Sequence, residues 1–212
     1  MSDTADATAA NTDERQANAD EHPWDEWEPM TIAGRHVPTS LREMEIWLLW
    51  SPEFGKTPMA PWETGHMYPA SWGAGVDERP ETTFDKADMI ATMGPETIHR
   101  NFPFPPLDDG DEPHIPERVL PTILLPHEPA SPPLMQVDFD DVRNPETGTV
   151  SPEVADIVDR LDAYSGVSQS GAGLHTFVPA ELPGALGKFI GSLDTVGDIE
   201  LYDHGRFVGA TW

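Results

Sequence analysis

The chain has 212 residues, with 12 Lys and Arg against 38 Asp and Glu, a formal net charge of −26, and no cysteine. That length allows one globular domain with a real core plus a tail, and the missing cysteine excludes a disulfide framework, a thiol nucleophile and a zinc–thiolate site. Such a charge destabilises a compact state by self-repulsion unless salt screens it, and at molar salt the Debye length is only about 3 Å; the composition therefore points to the salt-rich cytoplasm of a halophile, or to an acidic protein that mimics or avoids nucleic acid.

In chain order, residues 1–34 read as an acidic tail. Met1 to Glu28 is Ala, Asp, Glu, Asn and Thr with almost no large apolar residues, a composition that does not fold alone. Trp24 and Trp27 end it and are expected to dock on the domain, a linear binding motif being the alternative. The tail has neither the basic nor the apolar region of a signal peptide. No later apolar run reaches the roughly 18 residues of a membrane helix, so the expected location is cytoplasmic, away from membranes.

The domain is read over residues 35–212. Thr39 or Ser40 is placed to cap a short helix running to Met44. Ile46–Trp50 is a β-type run, and Phe54–Pro58 a turn into an extended piece. Residues 61–75 read as loop, with Trp62 and Trp72 packing back on the core. Thr82 or Thr83 caps a helix over 84–93, with Phe84, Ala87, Met89, Ile90 and Met93 as its apolar face, ended by Gly94-Pro95. Residues 101–133 form a Pro-rich insertion and hairpin. Within it, Val119–Leu125 is a strand expected to pair with the one beginning at Leu134.

That next strand, Leu134–Asp141, carries the chemistry. Side chains alternate across a strand, so Val137 and Phe139 face one way while Asp138 and Asp140 face the other. Two carboxylates held close repel unless a cation lies between them, and hard divalent ions take oxygen ligands. An acidic turn in an acidic protein explains the same residues without a ligand. A calcium loop does not: its sixth and twelfth positions, Gly and Glu in an EF-hand, are Arg143 and Thr149 here.

Asn144–Gly148 has turn chemistry. Ser151-Pro152-Glu153 is a helix start, followed by Val154, Ile157, Val158 and Leu161 at helical spacing. Ser168-Gln169-Ser170-Gly171-Ala172-Gly173-Leu174-His175 then places two hydroxyls, small residues and an imidazole before the strand Leu174–Val178. Glycine amides, serine hydroxyls and His175 can together cradle an anion; a plain Gly/Ser hairpin is the simpler alternative. It is not a Walker A loop, and Gly187-Lys188 does not complete one. On Asp198–Tyr202, Glu200 stands opposite in facing to Ile199 and Leu201. Arg206, beyond the Asp203–Gly205 turn, is placed to meet Glu200 or a phosphate. Few helices among many strands indicate an α+β fold.

In order and spacing, "VDFDDVRNPETG", "LDAYSGVSQSGAGLH" and "IELYDHGRFV" resemble the bifunctional primase–polymerase domains of the archaeo-eukaryotic primase superfamily, with an Asp-x-Asp strand, a Ser-x-Ser-Gly-x-Gly-x-His segment and a late acidic residue. The resemblance covers Met135–Val208 well and Ile46–Pro58 more loosely. It implies a primase-type α+β domain with a C-terminal half built like an RNA-recognition motif. It implies Asp138, Asp140 and Glu200 as catalytic ligands of Mg²⁺ or Mn²⁺, and Ser168, Ser170, Gly171, Gly173, His175 and Arg206 as nucleotide-binding residues. The implied partners are single-stranded DNA template, nucleoside triphosphates, and a helicase or other replication partner. The implied activity is DNA primase or DNA polymerase nucleotidyl transfer in replication of chromosomal, plasmid or virus DNA. Arg143 and Arg206 are the arginines expected at the substrate. The family continues past Arg206-Phe207 into a further strand and helices, whereas this chain reads Val208-Gly209-Ala210-Thr211-Trp212. A truncated, non-catalytic domain that binds nucleotide or a partner is therefore the second expectation. A nuclease ranks third, since no His or Lys is placed as a base for water.

Overall fold

A computed structural model of the chain describes residues 28–29, 37–55, 57–67, 81–107, 112–125, 132–184, 188–193, 197–208 and 210–211. The acidic tail lies outside these residues apart from 28–29, as do Trp24, Trp27 and Trp72. The fold is α+β. Among the described residues, no helix is long and apolar enough to cross a membrane.

The elements run β1 (Glu28–Pro29), α1 (Thr39–Arg42), β2 (Trp47–Trp50), α2 (Pro61–Thr64), α3 (Phe84–Ala91), α4 (Pro95–Asn101), β3 (Leu120–Leu125), β4 (Met135–Asp140) and β5 (Thr149–Val150). Then follow α5 (Pro152–Leu161), β6 (Tyr164–Ser168), β7 (Leu174–Val178), β8 (Lys188–Ser192), β9 (Asp198–Tyr202), β10 (Arg206–Val208) and β11 (Ala210–Thr211). They build a three-stranded sheet, β10-β3-β2, and a six-stranded sheet, β11-β6-β7-β4-β9-β8. Every pair is antiparallel, including β1 with β5, so two residues of the expected tail are paired to the domain.

Several local expectations need correction. Thr39 is the first residue of α1, not its cap; Pro38 occupies the cap position without a side-chain bond. Thr83 caps α3 by position only, and Met89 and Met93 point to solvent, leaving Phe84, Ala87 and Ile90 as the buried face. Pro61–Thr64 is helical, and Gly94-Pro95 both ends α3 and opens α4. Gly94 takes φ +81°, a conformation that suits glycine, and Pro95 has the fixed φ of a first helical residue. The Pro-rich stretch packs on the domain: Phe104 is buried and stacked on Phe54, and Pro103 and Pro105 carbonyls accept backbone hydrogen bonds from Met67 and His114.

The largest correction concerns β3. It pairs with β2 and β10, not with β4. β2 is buried on both faces and needs an equally buried neighbour, and Pro121 can sit in β3 at the register of Leu49. The chain therefore changes sheets between β3 and β4, across residues that include the undescribed 126–131.

The six-stranded sheet has two working faces. On the back, Val137, Phe139 and Leu174 pack against Val154 and Val158 of α5. β4 and β6 are both antiparallel to β7, hence parallel to each other, and α5 is the crossover between them. On the front, cross-strand register makes three rows. Tyr164, Phe177, Gln136, Tyr202 and Lys188 form the first; Gly166, His175, Asp138, Glu200 and Ile190 the second; Asp140, Asp198 and Ser192 continue in the third. Tyr164, Phe177 and Tyr202 join the main core with Trp47, Ile123 and Leu125 of the smaller sheet. The second row thus sits at the edge of that core, where it opens to solvent.

Candidate metal and anion site

Asp138 and Asp140 share the front face of β4, as the alternation requires, and Glu200 is the cross-strand partner of Asp138 on β9. One oxygen from each carboxylate lies within 4.8 Å of the others. Asp138 is buried, Glu200 half-buried and Asp140 exposed. Asp138 lies on a buried strand, and β10 brings Arg206 to it. His175, its neighbour on β7, places Nε2 at 3.2 Å from Asp138 Oδ1, and Arg206 Nη2 lies 3.3 Å from Oδ2. The same nitrogen stands 3.7 Å from Glu200 Oε2.

The electrostatics follow from these contacts. Burial pushes the Asp138 carboxyl up, but His175 and Arg206 outweigh it and hold it below the usual range. Asp140 is raised, by partial desolvation first and then by the charges of Asp138, Glu200 and Asp141. The Tyr202 hydroxyl donates to Glu200 Oε2, and desolvation followed by that bond pushes its pKa up to about 12. The Arg206 guanidinium covers the Tyr202 ring at 4.4 Å from its centroid. Tyr202 therefore fixes both the third carboxylate and the arginine that faces it.

These pKa directions give an expected outcome for the metal-free protein. A raised acid favours folding while protonated, so stability linked to Asp140 is fully present below the ordinary Asp pKa and lost as pH rises through its folded value. Asp140→Asn, measured in EDTA, should unfold at slightly higher temperature than wild type at neutral pH, with the gain vanishing in acid. The side chain is solvent-exposed, so the gain should stay below about 1 kcal/mol. Thermal melts at several pH values check it.

An open cleft of about 470 Å³ adjoins the carboxylates, with walls from Gln136, Asp138, Asp140, Ser168, Gln169, Ser170, His175, Arg206, Phe207 and Val208. Ser168 ends β6, and the loop to β7 is closed by Ser168 N donating to Gly173 O and Gly173 N donating to Ser168 Oγ, 2.9 and 3.0 Å. Ala172 N donates to Ser170 Oγ, and Ser168 and Ser170 hydroxyls lie 3.1 Å apart. Gly171 N is also spent within the loop, on Ser168 O. The glycine amides expected to receive an anion are thus internally bonded, and Gly171 and Gly173 serve the turn. Gly171 has φ +79°, and a Cβ on Gly173 would collide with the Phe139 carbonyl of β4. The serines and His175, not the glycines, line the cleft.

Arg143 is likewise not at the cleft. Its Nη1 donates to Gly171 O at 2.6 Å, while the backbone amides of Val142 and Arg143 both donate to Ala172 O. It pins the serine loop from behind. Gln136 and Tyr202 are site residues that sequence reasoning missed. Each is two positions from a carboxylate on the same strand face, so the alternation that found Asp138 and Glu200 also contained them.

The donor set fits a hard divalent cation. It is all oxygen, drawn from three carboxylates, and Asp138 Oδ1 is buried with no hydrogen-bond partner, since His175 approaches it without hydrogen-bond alignment. Acidic groups of this size also occur without metals, so the fit defines a capacity. No protein-family model matches the chain, and no curated protein matches it.

Proposed function

We propose that the cleft carries out metal-dependent nucleotidyl transfer of the primase–polymerase type, joining nucleotides on a single-stranded DNA template. The observation that carries this reading is the convergence of Asp138, Asp140 and Glu200 in one carboxylate group, two of whose members, Asp138 and Asp140, line an open cleft with His175, Arg206 and the Ser168–Ser170 loop. The order β6-β7-β4-β9, with α5 crossing from β4 to β6, supports an RNA-recognition-motif-like half. It adds to the sequence resemblance to the archaeo-eukaryotic primase superfamily.

Asp138, Asp140 and Glu200 would hold Mg²⁺ or Mn²⁺, which when bound stabilises the attacking and leaving oxygens of an in-line displacement. The protein's own groups select and orient the triphosphate. The Ser168 and Ser170 hydroxyls, 3.1 Å apart, both line the cleft, where a serine hydroxyl can donate to a phosphate oxygen. Arg206 supplies positive charge on the opposite wall. In so acidic a chain few cations serve this purpose, so binding rests on a small number of directed contacts, and salt screens the remaining repulsion.

The test is primer synthesis and primer extension on single-stranded DNA with Mg²⁺ or Mn²⁺, across a salt series up to molar KCl. Product that depends on salt and disappears in Asp138→Ala/Asp140→Ala is the expected result. No product from a chain shown folded by circular dichroism would leave a non-catalytic domain that binds nucleotide or a replication partner.

A further inference from the structure

We propose that Arg206 is the resident counter-ion of the carboxylate group, and that its guanidinium and a divalent cation displace one another there. The inference rests on the metal reading of Asp138, Asp140 and Glu200. Arg206 Nη2 stands 3.3 Å from Asp138 Oδ2 and 3.7 Å from Glu200 Oε2, so one guanidinium bridges two of the three carboxylates. A divalent ion drawn to these residues would bring two further positive charges beside it. The repulsion is strongest where water is scarce, and Asp138 is buried.

The displaced side chain has a place to go. Its guanidinium already lies over the Tyr202 ring, a surface that holds a cation without needing a carboxylate. It is one-third exposed and lines the cleft that Ser168 and Ser170 share. Freed from the carboxylates, it stays in the cleft as a donor for an anionic ligand. In the metal-free state it does the opposite task, offsetting the repulsion between Asp138 and Glu200. His175 approaches the other oxygen of Asp138, Oδ1, so the exchange at Oδ2 involves Arg206 alone.

The experiment compares the full chain, wild type and Arg206→Gln, by thermal unfolding and by calorimetric Mn²⁺ titration at one KCl concentration. In EDTA the variant should melt lower, by roughly 2–4 °C. In saturating Mn²⁺ that deficit should largely disappear, and the variant should bind Mn²⁺ more tightly, on the order of tenfold. Arg206→Lys keeps the charge but exchanges the planar guanidinium, whose Nη2 stands near both carboxylates, for a compact, more strongly hydrated ammonium, and should fall between the two; it replaces Arg206→Gln if that variant does not fold. An equal deficit with and without Mn²⁺, or unchanged or weaker Mn²⁺ binding, overturns the proposal and makes Arg206 a structural residue. Wild type that takes up no Mn²⁺ sensitive to Asp140→Asn overturns the metal reading itself, and this proposal with it.

Discussion

On the proposed reading of the cleft, Asp138→Asn should reduce nucleotidyl transfer by on the order of 10³-fold or more while the domain stays folded. Asp138 is the most buried of the three carboxylates. It neighbours His175 on β7 and Glu200 on β9, and it takes Arg206 from β10. Asparagine keeps its shape but removes the charge that both the arginine and a divalent ion require. Arg206 retains Glu200, so the fold should lose little. Asp198→Asn is the matched control. Asp198 lies opposite Asp140 on the same face, but it is exposed and its Oδ1 accepts from Ser192. Its loss should leave the rate near wild type. Primer-extension rates with circular dichroism on both variants make the comparison. Equal rates for wild type and Asp138→Asn would remove Asp138 from the chemistry.

Gly173→Ala should destabilise the domain by roughly 3 kcal/mol, or about 6–12 °C in Tm. No left-handed backbone angle is involved; the cause is contact. A Cβ at this position would stand 3.0 Å from Ser168 Oγ and closer still to the Phe139 carbonyl oxygen. Ser168 is bonded to Gly173 N, and Phe139 sits between the two aspartates, so neither neighbour can move without disturbing the site. Gly184→Ala provides the reference. Gly184 has φ +75° and open space around it, so its replacement carries backbone strain alone, about 1–2 kcal/mol. The excess at Gly173 measures how closely the serine loop is pressed on β4. The same variant should weaken Mn²⁺ binding, because the loop can be accommodated only by shifting Phe139 and with it Asp140. Thermal melts and Mn²⁺ titration of both variants test this, and a Gly173→Ala protein as stable as the Gly184→Ala one would show the approach to be slack.

Much of this site could be read without a structure. The alternation of Val137 and Phe139 with Asp138 and Asp140 is a local property of an extended chain, and the sheet reproduces it with one set in the core and the other at the cleft. α5 was legible for a similar reason: Val154 and Val158 recur at helical spacing and are buried, after a Pro at the first helical position. Less visible were β6 and β8. Tyr164–Ser168 holds two serines and a glycine, and it is a strand because β7 and β11 flank it. Lys188–Ser192 is an edge strand with exposed Phe189 and Ile190, paired only to β9. Neither has the apolar signature that marks a strand from its own residues. α4 was hidden behind Gly94-Pro95, which signals an end and a beginning equally well.

The residue types and spacings by themselves determined the α+β class, the strand bearing the aspartates, its helix, and which side chains share a face, because each follows from backbone geometry within a few residues. Tertiary structure alone decided that β3 joins β2 and β10, that Arg206 reaches Asp138 as well as Glu200, that Arg143 holds the serine loop, and that the loop glycines are internally bonded. Those outcomes depend on which sheet edges meet and on which cation the packing brings to each carboxylate. Arg206 and Asp138 are 68 positions apart in the chain. Contacts between such distant groups are set by the packing of whole sheets, and no local pattern encodes them.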